Sequence, residues 1–375
     1  MNGKIKFANS LRGIAALCVL ISHYYGAFWF FRNEVSNFIY APILSDTINT
    51  PIVCEMVIYL LTNINFSFGA FGVALFFLIS GFVITFSLNS KSRINFLVNR
   101  FFRIIPVYFI GFSISLASLG VCAKYFETQL PFTMQEIFIH YIPGVRDILW
   151  SRNIDGIIWT LEIEIKFYVI CALVIGWFKR NSIKVFLVPI AIFLLSSGIC
   201  DCIIDMSSQE KYTINFLGTY IIFMFIGVVF NFLYRKIISS RSAIFLIIFL
   251  QCLSYYNCYC GPCNQSVIYL INYVIAVIIF GLLYYLRDYV KENYFINLLA
   301  DISYPLYVSH GIFGYVFMRI ALAYLNNVYL VLVCTTVLAM VLAYTIHCTV
   351  EKWSINKGKI VIEQYINDYT GSRTK

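Results

Sequence analysis

Apolar runs long enough to cross a lipid bilayer recur along almost the whole chain, and they leave little room for any other kind of fold. A hydrocarbon core of about 30 Å takes roughly 20 helical residues. Runs of that order fall at 7–29, 66–88, 104–122, 159–178, 185–200, 213–233, 243–256, 266–286, 297–318 and 327–349, with 185–200 and 243–256 the weakest. The expected fold class is therefore all-α, a polytopic transmembrane helical bundle of about ten spans. Of the 375 residues 61% are hydrophobic and 12% charged, which excludes an ordinary soluble domain. The first run is long, begins close to the terminus and carries charge, so it reads as a span rather than a cleavable signal peptide. The spans occupy residues 1–360, and 361–375 remain as a short cytoplasmic tail with no room for a second folded domain.

Basic residues orient the bundle. With the amino terminus inside and every span crossing, only Arg32, Lys124, Arg146, Arg152, Lys166, Lys211 and Arg319 of the 27 Lys and Arg residues lie outside or within the bilayer. Both termini are expected in the cytoplasm, and the formal charge of +9 is mainly a topology signal. The basic residues are spread over inner loops and tails rather than one soluble face, so no nucleic-acid partner is expected. In "NCYCGPCNQ" Cys258, Cys260 and Cys263 fall in an outer loop on this map, as do Cys200 and Cys202 in "ICDCII". Disulfides are their expected use outside a reducing compartment. With no histidine nearby and no paired CxxC, no metal site is expected.

Several polar residues do not belong in lipid. "LRGIAALCVLISHYYG" carries Arg12 and His23, which an ideal α-helix places on nearly one face about 16 Å apart along the axis. Charges at such depth usually face a polar interior and serve a path or a site. "RFFRIIP" sets Arg100 and Arg103 at i, i+3, a clamp suited to phosphate or a positive-inside anchor. "WTLEIEIKFY" holds Trp159, Glu162, Glu164, Lys166 and Tyr168; Glu162 and Lys166 have the spacing of a pair, which leaves Glu164 to look elsewhere. "ISYPLYVSHGIF" aligns Ser303, Tyr307 and His310 on one stripe, with Pro305 placed to loosen the helix. Gly69, Gly72, Gly81 and Ser80 in the second run suggest close helix packing and no chemistry.

In this order, these segments closely resemble the integral-membrane acyltransferase-3 family, the polytopic O-acyltransferases that modify bacterial surface sugars. The resemblance runs through nearly the whole chain. It places the family's Arg-x10-His signature on Arg12 and His23 and its Arg-x-x-Arg signature on Arg100 and Arg103. It implies that His23 is catalytic, that Arg12, Arg100 and Arg103 bind acyl-coenzyme A, most simply acetyl-coenzyme A, from the cytoplasm, and that the protein sits in a bacterial inner membrane. One departure is visible: the family often closes its last span with an acidic residue followed by proline, whereas "VEKWSINKGK" has Glu351 without proline.

The resemblance implies transfer of an acyl group to a hydroxyl of a surface polysaccharide or lipid-linked glycan. His23 is expected to remove the hydroxyl proton as the sugar oxygen attacks the thioester. Glu162 or Glu164 would orient the sugar or assist the proton, and Trp159, Tyr168, Ser303, Tyr307 and His310 would face the acceptor. Relay through an acyl-enzyme is the other route. The competing reading is a transporter or flippase for a surface glycan or its precursor, whose intramembrane charges line a path.

Overall fold

The computed structural model describes residues 5–199, 207–260, 266–291, 293–325 and 327–371. Besides the single turn Phe28–Phe30, its α-helices are α1 (Lys6–Ile21), α2 (Arg32–Ile39), α3 (Ile52–Ile64), α4 (Phe68–Ser90), α5 (Arg93–Phe126), α6 (Met134–His140), α7 (Ile158–Leu173), α8 (Ile175–Lys179), α9 (Leu187–Phe193), α10 (Ser208–Tyr234), α11 (Ser240–Cys260), α12 (Ser266–Tyr285), α13 (Tyr294–Asp301), α14 (Ser303–Tyr324), α15 (Val328–Ile346) and α16 (Lys352–Gly371). Three π-helical stretches, Ser22–Ala27, Leu194–Ile199 and His347–Glu351, interrupt this pattern. No strand occurs among the described residues, so the all-α membrane bundle holds.

Among the described residues eight helical rods are long and apolar enough to span a membrane. The run at 159–178 is broken at Val174 between α7 and α8, and the run at 185–200 is a chain of short 3₁₀, α and π pieces. The run at 297–318 is also divided, with the break at Ile302 between α13 and α14. Pro305 supplies the reason: continuous helix would drive its ring against the carbonyl of Asp301. Within α14 the same proline lies in the first turn, where a missing N–H breaks nothing, so it starts that helix rather than loosening it. At the other end of the chain, α16 carries helix past residue 360.

Two compact units are present: residues up to Val19 with Tyr59–Lys91 and Trp159–Ala300, and Leu20–Ile58 with Ser92–Ile158 and everything from Asp301 onward. The first is built on α4 against α10. A Cβ at Gly81 would overlap Met224 O, and one at Gly227 would overlap Leu78 O, so the backbones touch only because both residues are glycine. Asn231 donates to Phe82 O at 2.8 Å beside that crossing. Lipid gives helices little hydrophobic reason to associate, so close contact and obligatory hydrogen bonds carry this packing.

A buried polar seam also explains why α11 runs on past its apolar residues. Asn257 donates to Asn215 O at 2.8 Å and to Thr219 Oγ1 at 3.0 Å and accepts from Ser196 Oγ at 2.9 Å. These partners let helix continue beyond the apolar run, and Cys258 is consequently a buried helical residue rather than part of an outer loop. Cys200, Cys202 and Cys263 lie outside the described residues, as does the side chain of Cys260.

In the second unit α14 packs on α5, where a Cβ at Gly111 would stand 2.7 Å from Val308 O. The same unit holds a closed network of Tyr108, His140 and Asp155 that no motif announced. Tyr108 Oη is 2.8 Å from His140 Nδ1 and 3.2 Å from Asp155 Oδ2, and Ile154 N–H donates to His140 Nε2 at 3.0 Å. Asp155 Oδ1 accepts from Ile157 and Ile158 N–H, both at 3.0 Å, and so caps the start of α7. Burial, helped by Arg146, holds His140 down at about 3, while burial lifts Asp155 to about 6 against the opposite pull of the Ile157 and Ile158 N–H groups, the Tyr108 hydroxyl and Arg146.

The two shifts act oppositely on stability. His140 takes its proton more readily when unfolded, so stability is lost as pH falls from its ordinary 6.5 toward about 3. Asp155 holds its proton more tightly in the fold, so stability is gained as pH falls from about 6 toward its ordinary 3.8. Asp155→Asn keeps a capping oxygen and removes the compensating titration. Its thermal midpoint in detergent is expected to fall between pH 6.5 and 4.5 more steeply than that of the parent; equal slopes would refute the assignment.

Candidate functional site

The helix that begins with α1 changes character at its far end. Ser22–Ala27 is π-helical, and the indole Nε1 of Trp29 donates to Tyr24 O at 3.0 Å. Such widened turns concentrate at functional sites because they redirect side chains and free backbone groups. The α-helical spacing that aligned Arg12 with His23 therefore applies only up to Ile21, since His23 is the second residue of the π turn.

His23 is half-buried, and its Nδ1 stands 2.7 Å from Tyr315 Oη. Its ring meets that of His310 edge to face, with centroids 4.8 Å apart. His310 is buried on α14, and its Nδ1 lies 2.9 Å from Leu306 O and 3.0 Å from Tyr307 O. Carbonyl oxygens only accept, so Nδ1 carries the hydrogen and the neutral ring leaves Nε2 as a bare lone pair. That Nε2 is buried with no hydrogen-bond partner among the described residues. Tyr24 Oη donates to His310 O at 2.7 Å, and Gly314 makes room for it, since a Cβ there would overlap the Tyr24 ring.

His23 and His310 are thus brought together, with Tyr24 and Tyr315 as supports that sequence reading missed. Tyr24 adjoins His23 and Tyr315 follows His310 on the same helix, but spacing along one helix cannot show what a residue meets on another. Ser303 is buried and Tyr307 half-buried at the start of α14. Arg100 and Arg103 lie half-buried on α5, with the Arg100 guanidinium 5.4 Å above the Phe96 ring.

The remaining residues singled out from sequence belong to the first compact unit. Glu164 accepts from both Ser80 Oγ and Tyr168 Oη, and those two hydroxyls are 3.2 Å apart. Ser80, assigned no chemistry from sequence, is therefore a partner of the glutamate that had to look elsewhere. Glu162 is buried on the same helix, Arg12 is half-buried on α1, and Trp159 packs edge-on against Phe77 and Phe216. Among the described residues no group of three His, Cys, Asp or Glu side chains is placed to hold a metal ion.

A membrane bundle with a paired imidazole site suits group transfer, and comparison with known proteins identifies the class. A family model described as "Acyltransferase domain" matches residues 5–348. The chain belongs to the acyltransferase-3 family. It is 29% identical over 128 residues to Nodulation protein 10 of Rhizobium leguminosarum bv. viciae, covering 30% of this chain and 35% of that protein. It is 30% identical over 118 residues to Exopolysaccharide production protein ExoZ of Rhizobium meliloti (strain 1021), covering 30% of this chain and 36% of that protein. The chain thus spans about a third of the length of these curated relatives. No solved structure matches it.

Gly314→Ala tests the support beneath the site. Its added methyl displaces the Tyr24 ring and should cost on the order of 1–3 kcal/mol as overpacking. Gly311→Ala, where a Cβ would meet nothing closer than 4.0 Å, should be neutral or stabilising by up to about 1 kcal/mol. Thermal melts of both variants in detergent decide it, and an unaffected Gly314→Ala would sink the account.

Proposed function

We propose that this protein is an O-acyltransferase of a bacterial inner membrane that moves an acyl group, most simply acetyl, from cytoplasmic acyl-coenzyme A to a hydroxyl of an extracytoplasmic polysaccharide or lipid-linked glycan. The observation that carries the proposal is the His23–His310 pair, two facing imidazoles inside a chain whose family transfers acyl groups. Imidazole is the side chain best matched to moving a proton between a hydroxyl and a thiolate near neutral pH. The partial match to an exopolysaccharide production protein supports a glycan as the acceptor. The excess of Lys and Arg on one side of the spans supports cytoplasmic termini and a donor that arrives from that side.

In this reading Arg100 and Arg103 meet donor phosphates. They share one helical face, and Arg103 has no ion pair or hydrogen bond among the described residues. Arg12 serves the same donor. Glu164, held by Ser80 and Tyr168, and Glu162 serve the acceptor together with Trp159, Ser303 and Tyr307.

Mass spectrometry of surface polysaccharide from cells carrying parent, His23→Ala or no protein tests the function. Acyl groups should appear with the parent alone. Arg103→Ala should weaken binding of acetyl-coenzyme A to purified protein by about 1.5–3 kcal/mol, the cost of a charge-assisted hydrogen bond. Acylation that persists without the protein, or unchanged donor affinity in a folded Arg103→Ala variant, would count against the respective half.

A further inference from the structure

Hydrogen-bond accounting around the two histidines points to a division of labour between them, and this inference rests on the acyl-transfer reading above. We infer that His310, through Nε2, is the base that takes the acceptor hydroxyl proton, and that His23 is the N–H donor that holds the thioester oxygen.

For His310 the tautomer follows from Leu306 O and Tyr307 O, which accept from Nδ1 and leave Nε2 bare, buried and without a partner among the described residues. An acceptor in such a place calls for a donor, and the hydroxyl of an acceptor sugar or of water is one. For His23 the tautomer follows from Tyr315. That phenol is buried, and its one hydrogen bond among the described residues is with His23 Nδ1. Were Nδ1 to carry the hydrogen, the phenol proton would be buried without an acceptor. Tyr315 Oη–H therefore donates, Nδ1 accepts, and the hydrogen of His23 sits on Nε2. The site then offers one bare nitrogen and one N–H on adjoining rings. Tyr24, whose phenol is occupied by His310 O, and Tyr307 are the other titratable groups whose rings face His310.

The chemistry balances with these two groups. As the hydroxyl oxygen attacks the carbonyl carbon, its proton passes to His310 Nε2, and His23 Nε2–H stabilises the developing oxyanion. The new C–O bond forms, the C–S bond breaks, and His310 returns the proton to the departing thiolate. Tyr315 is a positioning residue, because it acts only by fixing which nitrogen of His23 is protonated.

Two measurements on the full chain in detergent test this. The first is nitrogen NMR of ¹⁵N-histidine-labelled protein, whose 4 histidines are assigned by substitution. Nδ1 of His310 and Nε2 of His23 should be the protonated nitrogens, and Tyr315→Phe should disturb the His23 signals while leaving those of His310 in place. The second is release of thiol from acetyl-coenzyme A with water as the acceptor. His310→Gln cannot act as a base and should lower kcat at least about 100-fold with KM little changed, while His23→Gln keeps an N–H and should fall only about tenfold. A His23 protonated at Nδ1, or a His23→Gln variant more damaged than His310→Gln, overturns the inference. A parent that releases no thiol overturns the acyl-transfer reading, and the NMR result then shows whether the hydrogen-bond assignment fails with it.

Discussion

A polar group held away from water must find its partner inside the protein, and much of this structure follows from that requirement. Within a bilayer an unsatisfied N–H, C=O or hydroxyl has no solvent to fall back on, so each costs several kcal/mol. Asn231 therefore reaches Phe82 O, Asn257 gathers Asn215, Thr219 and Ser196, and Glu164 gathers two hydroxyls. These bonds do more than stabilise. They fix which faces of the helices meet, because lipid itself does not choose between one apolar face and another.

The same accounting separates scaffold from site. The Tyr108–His140–Asp155 network is closed: each ring nitrogen of His140 has a partner and Asp155 spends one oxygen on a helix start. A histidine so fully engaged is structural. His310 is equally buried, yet one nitrogen is committed to its own helix and the other to nothing among the described residues. An incomplete hydrogen bond in the middle of a well-satisfied structure is where a ligand's hydroxyl gains most.

Small residues and widened turns set this contrast in place. Gly314 admits the Tyr24 ring to the backbone of α14, and the π turn after α1 carries Tyr24 and His23 as neighbours into the same region of the second unit. A side chain at position 314 or a regular α-turn at Ser22–Ala27 would send one of them elsewhere. Each imidazole has its own support: His310 Nδ1 faces Leu306 O and Tyr307 O, and His23 Nδ1 faces Tyr315 Oη, while the two rings stand with centroids 4.8 Å apart.

Sequence alone determined the membrane bundle, since runs of apolar residues admit few alternatives, and it determined the residues out of place in lipid, His23, His310 and Glu164 among them. It also carried the family, through motifs spread over most of the chain. Tertiary structure decided what those residues meet. Tyr315, Ser80 and Gly314 look in sequence like ordinary members of apolar helices, because hydrophobic periodicity reports depth and face but not the partner across the interface. The surroundings of the π turn at His23 and the burial of Cys258 in helix were decided the same way, by carbonyls, rings and amides brought together from distant parts of the chain, whereas the break before Pro305 is local, its ring against the carbonyl of Asp301. A hydrogen bond between helices depends on their packing, and packing is a property of the folded chain rather than of any one segment.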